Sequence, residues 1–134
     1  MKAGTAAASL AREVTADRVA LEDDVLIYRE PAETTLETVA TMMARARELT
    51  RGVDRWFMLV DLSEVHRHPP PRVLASIIKN VRGLEARYIA LFDDGASAAR
   101  TAAVRFVLRI VGSRSGYFSS ASEARAAFEA RRRS

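Results

Sequence analysis

The sequence predicts a single-domain α/β layer, in which a mixed sheet of about four to six strands opens with an antiparallel ribbon and packs against about four helices. Three observations predict this class. Apolar and polar residues alternate near the beginning, two runs of consecutive apolar residues follow, and stretches with helical periodicity separate these runs. Strands that are apolar on both faces, with helices between them, imply parallel neighbours joined by right-handed crossovers.

The opening ribbon lies in residues 14–29, where short alternating segments are separated by aspartates. The segments are Val14 with Ala16, Val19 with Leu21, and Val25 with Ile27. Asp17 and the pair Asp23 and Asp24 fall between them, and aspartate is a common turn residue. We therefore predict short antiparallel strands joined by tight turns.

Two helices are predicted next. The first runs from Thr34, which has the spacing of a capping box with Glu37, to Gly52, which favours the left-handed conformation of a helix end. The second carries an apolar stripe over residues 73–81 and stops at Gly83, and three prolines precede it. Proline suits the first turn of a helix, because the amide hydrogen that it lacks has no partner there.

The remaining elements continue the alternation of strands and helices. They are buried strands at 55–61 and 87–94, a third helix at 97–112, a short strand at 116–120, and a terminal helix that starts at Ser120 with Glu123 as a second capping box. The predicted hydrophobic centre contains Phe57, Leu59, Ile77, Ile89, Leu91 and Val107. Residues 1–134 then form one domain, in which 1–9 and 131–134 are expected to be flexible tails.

Composition narrows the function classes. The chain has 134 residues and no cysteine, which removes disulfides, thiolate catalysis and cysteine metal sites. Its first residues are too weakly apolar for a signal peptide or a membrane span, so we predict a soluble cytoplasmic protein without stable membrane insertion. The net charge is +4, but acidic residues are interspersed with the basic ones. Aromatic residues are not interleaved with basic residues as in proteins that bind single strands, so nucleic acid is not an expected partner.

Two short motifs connect the chain with a known family. A hydrophobic strand ends in Asp61, Leu62 and Ser63, and a final strand leads through Ser120 into a Glu-Ala helix. In this order of elements, over roughly residues 10–130, the chain resembles the STAS superfamily, the anti-sigma-factor antagonist fold, and especially its short SpoIIAA-like bacterial members. The resemblance implies a non-catalytic interaction and regulatory module that binds a protein partner.

Regulation in that family depends on a serine in a turn at the start of the helix after this strand, where a kinase partner phosphorylates it. A helix N-terminus favours phosphate because free amides and the helix dipole attract negative charge. At the corresponding place this chain has Arg67, His68 and the prolines 69–71. Proline has neither a hydroxyl nor an amide hydrogen, so we expect a module without the phosphoacceptor-serine switch, although Ser63 and Ser76 remain nearby.

Three aspartates are candidates for a site at the ends of the two buried strands. Asp61 ends the first strand, and Asp93 and Asp94 end the second. Open α/β sheets bind ligands at that edge, and neighbouring carboxylates can hold a divalent cation. A receiver-like site also needs a lysine on a further strand, and the last predicted strand has none. The default interpretation is therefore turn and helix-capping carboxylates, with no metal and no cofactor.

The chain has two histidines, His66 and His68, in the loop before the prolines. In an extended loop both can point the same way, as two zinc ligands do, but without a third placed ligand surface loop residues are the default. No G-x-S-x-G nucleophile elbow is present. We therefore predict that the protein is not an enzyme.

The third predicted helix has more apolar surface than one buried stripe requires. Arg105 and Arg109 lie one turn apart, and large apolar residues that include Phe106 and Ile110 spread around the rest of its circumference. Such a surface is typical of a protein contact, a homodimer included, or of a patch that touches lipid head groups. The alternative is a helix enclosed between the sheet and a neighbouring helix.

Two function classes follow from these observations. The first is the regulatory interaction module, whose partner is another protein or a second copy of the chain. The second is a small-molecule or lipid-binding domain, with an apolar or anionic ligand in a cleft beside the third helix and Arg105 or Arg109 as the anion contact.

Overall fold

One five-stranded sheet organises the chain. The computed structural model describes residues 12–67, 69–93, 104–105, 108–109, 112 and 114–133. The elements with described bounds are β1 (Val19–Glu22), β2 (Val25–Arg29), α1 (Leu36–Thr50), β3 (Phe57–Asp61), α2 (Pro71–Arg82), β4 (Ile89–Phe92), β5 (Ser115–Phe118) and α3 (Ala121–Arg132). The strand order is β1-β2-β3-β4-β5, with β1 antiparallel to β2 and the other neighbours parallel. The predicted mixed α/β sheet with an antiparallel opening is confirmed.

The opening ribbon is a hairpin of β1 and β2, in which Glu22 pairs with Val25 across a two-residue turn. Asp23 in this turn has φ 55°, a left-handed conformation that aspartate adopts more readily than most residues because its short side chain bonds locally. The predicted turn at Asp23 and Asp24 is therefore confirmed.

The strand predicted earlier, at Val14 and Ala16, is wrong. Residues 12–16 are helical, and the Asp17 amide donates to the Glu13 carbonyl at 3.0 Å. Two apolar residues separated by one polar residue occur both in strands and on one side of a helical turn. The alternating pattern at Val14 and Ala16 was therefore too short to distinguish a strand from a helix.

The sheet has an apolar core on each face. Side chains alternate along β3, so Met58 and Val60 pack in the core formed with α1 and α2, whereas Phe57 and Leu59 pack in the core formed with α3. The residues of the predicted hydrophobic centre divide between the two: Phe57 and Leu59 on one side, and Ile77, Ile89 and Leu91 on the other. The prediction of a single centre is corrected accordingly, and Val107 lies outside the described residues.

The first helix begins one residue later than predicted. Thr35 is its N-cap: Thr35 Oγ1 accepts from the Thr38 amide at 3.1 Å, and Thr38 Oγ1 accepts from the Thr35 amide at 2.9 Å. The predicted Thr34 and Glu37 capping box is wrong, because Thr34 donates its hydroxyl to Glu30 instead. A competing local hydrogen bond from Thr34 to Glu30 thus accompanies the shift of the cap to Thr35.

The second helix begins as the prolines predict. Pro70 is the N-cap and Pro71 the first helical residue, so the missing amide hydrogens fall where a helix has no acceptor for them. Gly83 follows its last turn, and Gly52 follows the end of α1 with φ 81°, the left-handed conformation expected there.

The terminal helix has half of its predicted capping box. Ser120 Oγ accepts from the Glu123 amide at 3.2 Å, as predicted, but the Glu123 carboxylate accepts from the amide and hydroxyl of Ser119 instead of the N-cap amide. The helix then buries Phe128 against Phe57, with ring centroids 4.9 Å apart. This stacked pair fixes α3 across the sheet.

The C-terminal arginines correct the prediction of a flexible tail for residues 131 and 132, and Ser134 lies outside the described residues. Arg131 and Arg132 belong to the last turn of α3. The Arg131 guanidinium lies 3.6 Å from the centre of the Tyr88 ring, and Arg132 donates two hydrogen bonds to the Asp24 carboxylate. Both side chains therefore tie α3 to the amino edge of the sheet.

The third predicted helix lies largely outside the described residues. Residues 104–105 and 108–109 are helical, in agreement with the prediction, and Phe106 and Ile110 are not among the residues described. Within the described parts of the chain, no helix has the length and apolar character that crossing a membrane requires.

Candidate interaction site at the carboxyl edge of the sheet

A cleft of about 710 Å³ lies at the carboxyl edge of the parallel strands. One wall is formed by residues 33–37, where the chain enters α1, and the other by residues 67–73, where it enters α2. The lining residues are Glu33, Thr34, Thr35, Leu36, Glu37, Arg67, Pro69, Pro70, Arg72 and Val73. Because α1 follows β2 and α2 follows β3, parallel neighbours bring the starts of both helices to the same edge.

The centre of the cleft is apolar. Leu36 lies in the first turn of α1, and its side chain is 38% exposed. Pro69 and Pro70 lie on the facing wall, and buried Val73 closes the cleft from within. An apolar centre that remains open to solvent is typical of a surface that another molecule covers.

Four charged side chains border this apolar centre. Glu33 and Glu37 belong to the α1 wall, and Arg67 and Arg72 belong to the α2 wall. All four are exposed, and none forms an ion pair with another residue in the described part of the chain. The cleft therefore has an acidic wall and a basic wall.

The first turn of α2 has little capacity to bind an anion through its backbone. Pro70 and Pro71 have no amide hydrogen, and the Val73 and Leu74 amides both donate to the Pro70 carbonyl, at 2.9 and 3.0 Å. At most one free amide, that of Arg72, remains in this turn. Recognition on this wall therefore depends on side chains.

A buried carboxyl lies directly behind the α1 wall. Glu30 follows the last residue of β2, is 8% exposed, and accepts a hydrogen bond of 3.1 Å from Thr34 Oγ1. Desolvation by burial raises the pKa of Glu30 from 4.5 to about 7, while the Thr34 hydrogen bond and the Arg18 charge act in the opposite direction. Burial also raises the pKa of Tyr28, whose hydroxyl is buried without a hydrogen-bond partner among the described residues.

The cation beside Glu30 is already engaged elsewhere. Arg18 donates to both carboxylate oxygens of Glu64, at 2.8 and 3.2 Å, and this hydrogen bond lowers the pKa of Glu64. Glu64 is exposed to solvent and Glu30 is buried. Arg18 therefore pairs with Glu64, the carboxylate that ionises more easily, and not with Glu30. Glu30 consequently keeps its proton more readily than an exposed glutamate does.

Asp61 and Ser63 form a turn at the end of β3. Asp61 Oδ1 accepts from the Ser63 amide at 2.9 Å, which leads the chain toward the α2 wall. This is the turn carboxylate that the sequence favoured as the default for Asp61. The Ser63 side chain is exposed.

The strand-end aspartates are not brought together. Asp61 continues the alternation of β3 on the α3 face after Leu59, whereas Asp93 follows Leu91 on the opposite face and is buried. Asp94 lies outside the described residues. The hypothesis of a shared cation site for Asp61 and Asp93 is therefore not favoured by the geometry.

The histidine loop contributes structure to the cleft. The His66 amide donates to the Ala32 carbonyl at 3.2 Å, a bond that joins the loops leading into the two walls. The His66 side chain is exposed, and His68 lies outside the described residues. Among the residues that the structure describes, no three His, Cys, Asp or Glu side chains are grouped as a metal site requires.

The predicted interaction residues of the third helix are only partly described. Arg105 and Arg109 are exposed on helical backbone, which is consistent with the one-turn spacing that placed them on the same side. Phe106 and Ile110 fall outside the described residues, so the apolar part of that surface stays a prediction.

Sequence reasoning missed Glu30 and the exposure of Leu36. The alternation of β2 contained the signal for Glu30, because residues 26, 28 and 30 share one face and the first two are buried. No comparable signal marked Leu36, since an apolar residue in the first turn of a helix has the same sequence pattern whether or not a neighbour covers it.

Comparison with known proteins adds evidence on the fold. No family model and no curated protein matches the chain. A solved structure, the NMR structure of the protein TM1081, matches it with a TM-score of 0.59 and 20% sequence identity, over 85% of this chain and 87% of that one. At this identity the likeness concerns the arrangement of strands and helices.

Proposed function

We propose that the protein is a non-catalytic, STAS-like interaction and regulatory module of the bacterial cytoplasm that binds a protein surface in the carboxyl-edge cleft. The observation that carries the proposal is the cleft itself, whose apolar centre at Leu36 and Pro70 is open to solvent and bordered by charged side chains. Protein interfaces have this organisation, in which an apolar centre is surrounded by a polar rim.

The place of the cleft in the fold supports the STAS part of the proposal. In the family that the chain resembles, the regulatory serine lies at the start of the helix after the Asp-Leu-Ser strand, and in this chain that position is the α2 wall of the cleft. Pro70 and Pro71 stand there, and the turn retains at most the Arg72 amide for a phosphate. The proposed module therefore binds its partner without a phosphoacceptor switch.

Site-specific photo-crosslinking tests the proposed surface. A photoreactive amino acid in place of Leu36 is expected to yield a discrete protein adduct in bacterial cells, whereas the same amino acid in place of exposed Ala126 on α3 is expected to yield none.

The captured protein is then purified, and calorimetry compares its affinity for wild type and for Leu36→Glu. A glutamate there places an unpaired charge in the apolar centre, so binding should weaken by about a hundredfold, equivalent to about 3 kcal/mol. Equal affinity for both proteins contradicts the proposal.

A small-molecule or lipid-binding domain is the second candidate, and one observation favours it. The volume of about 710 Å³ lies within the range of about 300 to 1,000 Å³ that ligand pockets occupy. A thermal-shift screen of apolar acids and anionic lipid head groups tests it, with Leu36→Glu as the variant for the cleft and Arg105→Ala with Arg109→Ala as the variant for the third helix. A ligand that stabilises wild type and not Leu36→Glu favours this function over a protein partner.

A further inference from the structure

The cleft carries opposite charges on facing walls without pairing them. Glu33 and Glu37 on the α1 wall, and Arg67 and Arg72 on the α2 wall, form no ion pair with one another or with any other described residue. Exposed pairs within one molecule contribute little to stability, so these charges are not required by the fold. They are instead available to a molecule that enters the cleft.

This arrangement selects against a simple anion and against a simple cation. An anion meets the carboxylates of Glu33 and Glu37 at the start of α1, and the prolines of α2 remove the amides that would hold it. A cation meets Arg67 and Arg72 across the cleft. The complementary occupant carries positive charge on one side, negative charge on the other and an apolar group between them.

The chain itself has a surface with that pattern. When two copies are related by a two-fold axis perpendicular to the line that joins the two walls, the acidic wall of one copy faces the basic wall of the other. The apolar residue Leu36 projects from the acidic wall at 38% exposure, opposite Pro69 and Pro70 on the basic wall. A wall of each copy can then enter the cleft of the other and cover both leucines.

We propose that the carboxyl-edge cleft is a self-association surface, in which a second copy binds about a two-fold axis with its 33–37 wall against the 67–73 wall of the first. The inference rests on the proposed function, because it names the protein surface that the cleft receives. It places the contact at this edge, whereas the sequence pattern predicted a contact through the 97–112 helix.

Complementary charge reversal tests the two-fold arrangement. One variant combines Glu33→Arg with Glu37→Arg, and the other combines Arg67→Glu with Arg72→Glu. Each places like charges opposite each other in a dimer, so sedimentation equilibrium should show association weakened by about a hundredfold or more relative to wild type. An equimolar mixture of the two variants should recover the mass of a dimer, because each acidic wall again faces a basic one.

Matched controls carry the same change in net charge elsewhere. Glu22→Arg with Glu85→Arg, and Arg51→Glu with Arg55→Glu, alter exposed side chains away from the cleft and should leave association as in wild type. Circular dichroism checks that every variant is folded. The inference is overturned by a wild-type monomer at about 500 μM, or by charge-reversed variants that stay apart when mixed although each is folded.

Salt separates this dimer from one formed through the third helix. Raising sodium chloride from about 50 to about 500 mM should weaken a contact that depends on the charged walls, and should leave a contact through apolar Phe106 unchanged. A dimer that Phe106→Glu dissociates and that neither salt nor the charge reversals affect overturns the cleft assignment. In that case the crosslinking test at Leu36 still decides the proposed function, since it detects any other protein in the cleft.

Discussion

Replacing Glu30 with glutamine tests whether its buried carboxyl keeps a proton in the folded protein. Glu30 is 8% exposed and accepts one hydrogen bond among the described residues, from Thr34 Oγ1. Arg18, the cation that acts on it, is bonded to Glu64. Glutamine keeps the shape of the side chain and an oxygen for the Thr34 bond, but it cannot ionise. The variant should therefore lose the pH dependence that Glu30 causes.

The magnitude follows from the two pKa values. Burial raises the pKa of Glu30 from 4.5 to about 7, so between these pH values the folded state holds a proton that the unfolded state has released. The contribution to the free energy of unfolding is complete below pH 4.5, decreases as the pH rises, and is lost above about pH 7. At about 1.36 kcal/mol for each pKa unit, the difference corresponds to about 3 kcal/mol.

Urea denaturation of wild type and Glu30→Gln at pH 4.5, 6 and 8 measures this contribution. The free energy of unfolding of wild type, minus that of the variant, should decrease by about 3 kcal/mol from the lowest to the highest pH. Taking the difference removes the titration of the other carboxylates. If the difference between wild type and Glu30→Gln is the same at all three pH values, Glu30 is ionised in the folded protein and the reasoning is refuted.

Three further outcomes are expected. Gly116→Ala should destabilise the domain by about 1 to 3 kcal/mol, because a Cβ there would lie 2.2 Å from the Tyr88 hydroxyl oxygen, and adding Tyr88→Phe should recover part of that loss in thermal unfolding. Amide hydrogen exchange should be slowest in residues 56–60 and 88–92, since these central strands are covered on both faces, and fast exchange there would contradict the described core. Incubation with an anti-sigma-type kinase should leave Ser63 without phosphate, and stoichiometric modification found by mass spectrometry would contradict the proposed absence of a serine switch.

The candidate site was only partly predictable from local patterns. Asp61 was expected at the carboxyl edge and lies there, because the end of a continuous apolar run also marks the end of a buried strand. Its relation to Asp93 was not predictable, since one residue of difference in pairing register places a side chain on the other face of the sheet. The buried pair of Glu30 and Thr34 depended on a loop conformation that moved the helix cap to Thr35.

By itself the sequence determined the order of the elements from β1 to β4 and the strong boundaries. The apolar runs of β3 and β4, the prolines before α2 and the Asp23 turn depend on backbone preferences and periodicity that act over a few residues, and each prediction was confirmed. Only the tertiary structure decided which side chains are covered. In the folded chain Leu36 is exposed at the cleft and Glu30 is buried behind it, and Arg131 and Arg132 contact Tyr88 and Asp24 at the sheet. Burial and charge pairing are properties of residues that meet across long sequence separations, and a local pattern does not contain the identity of the neighbour.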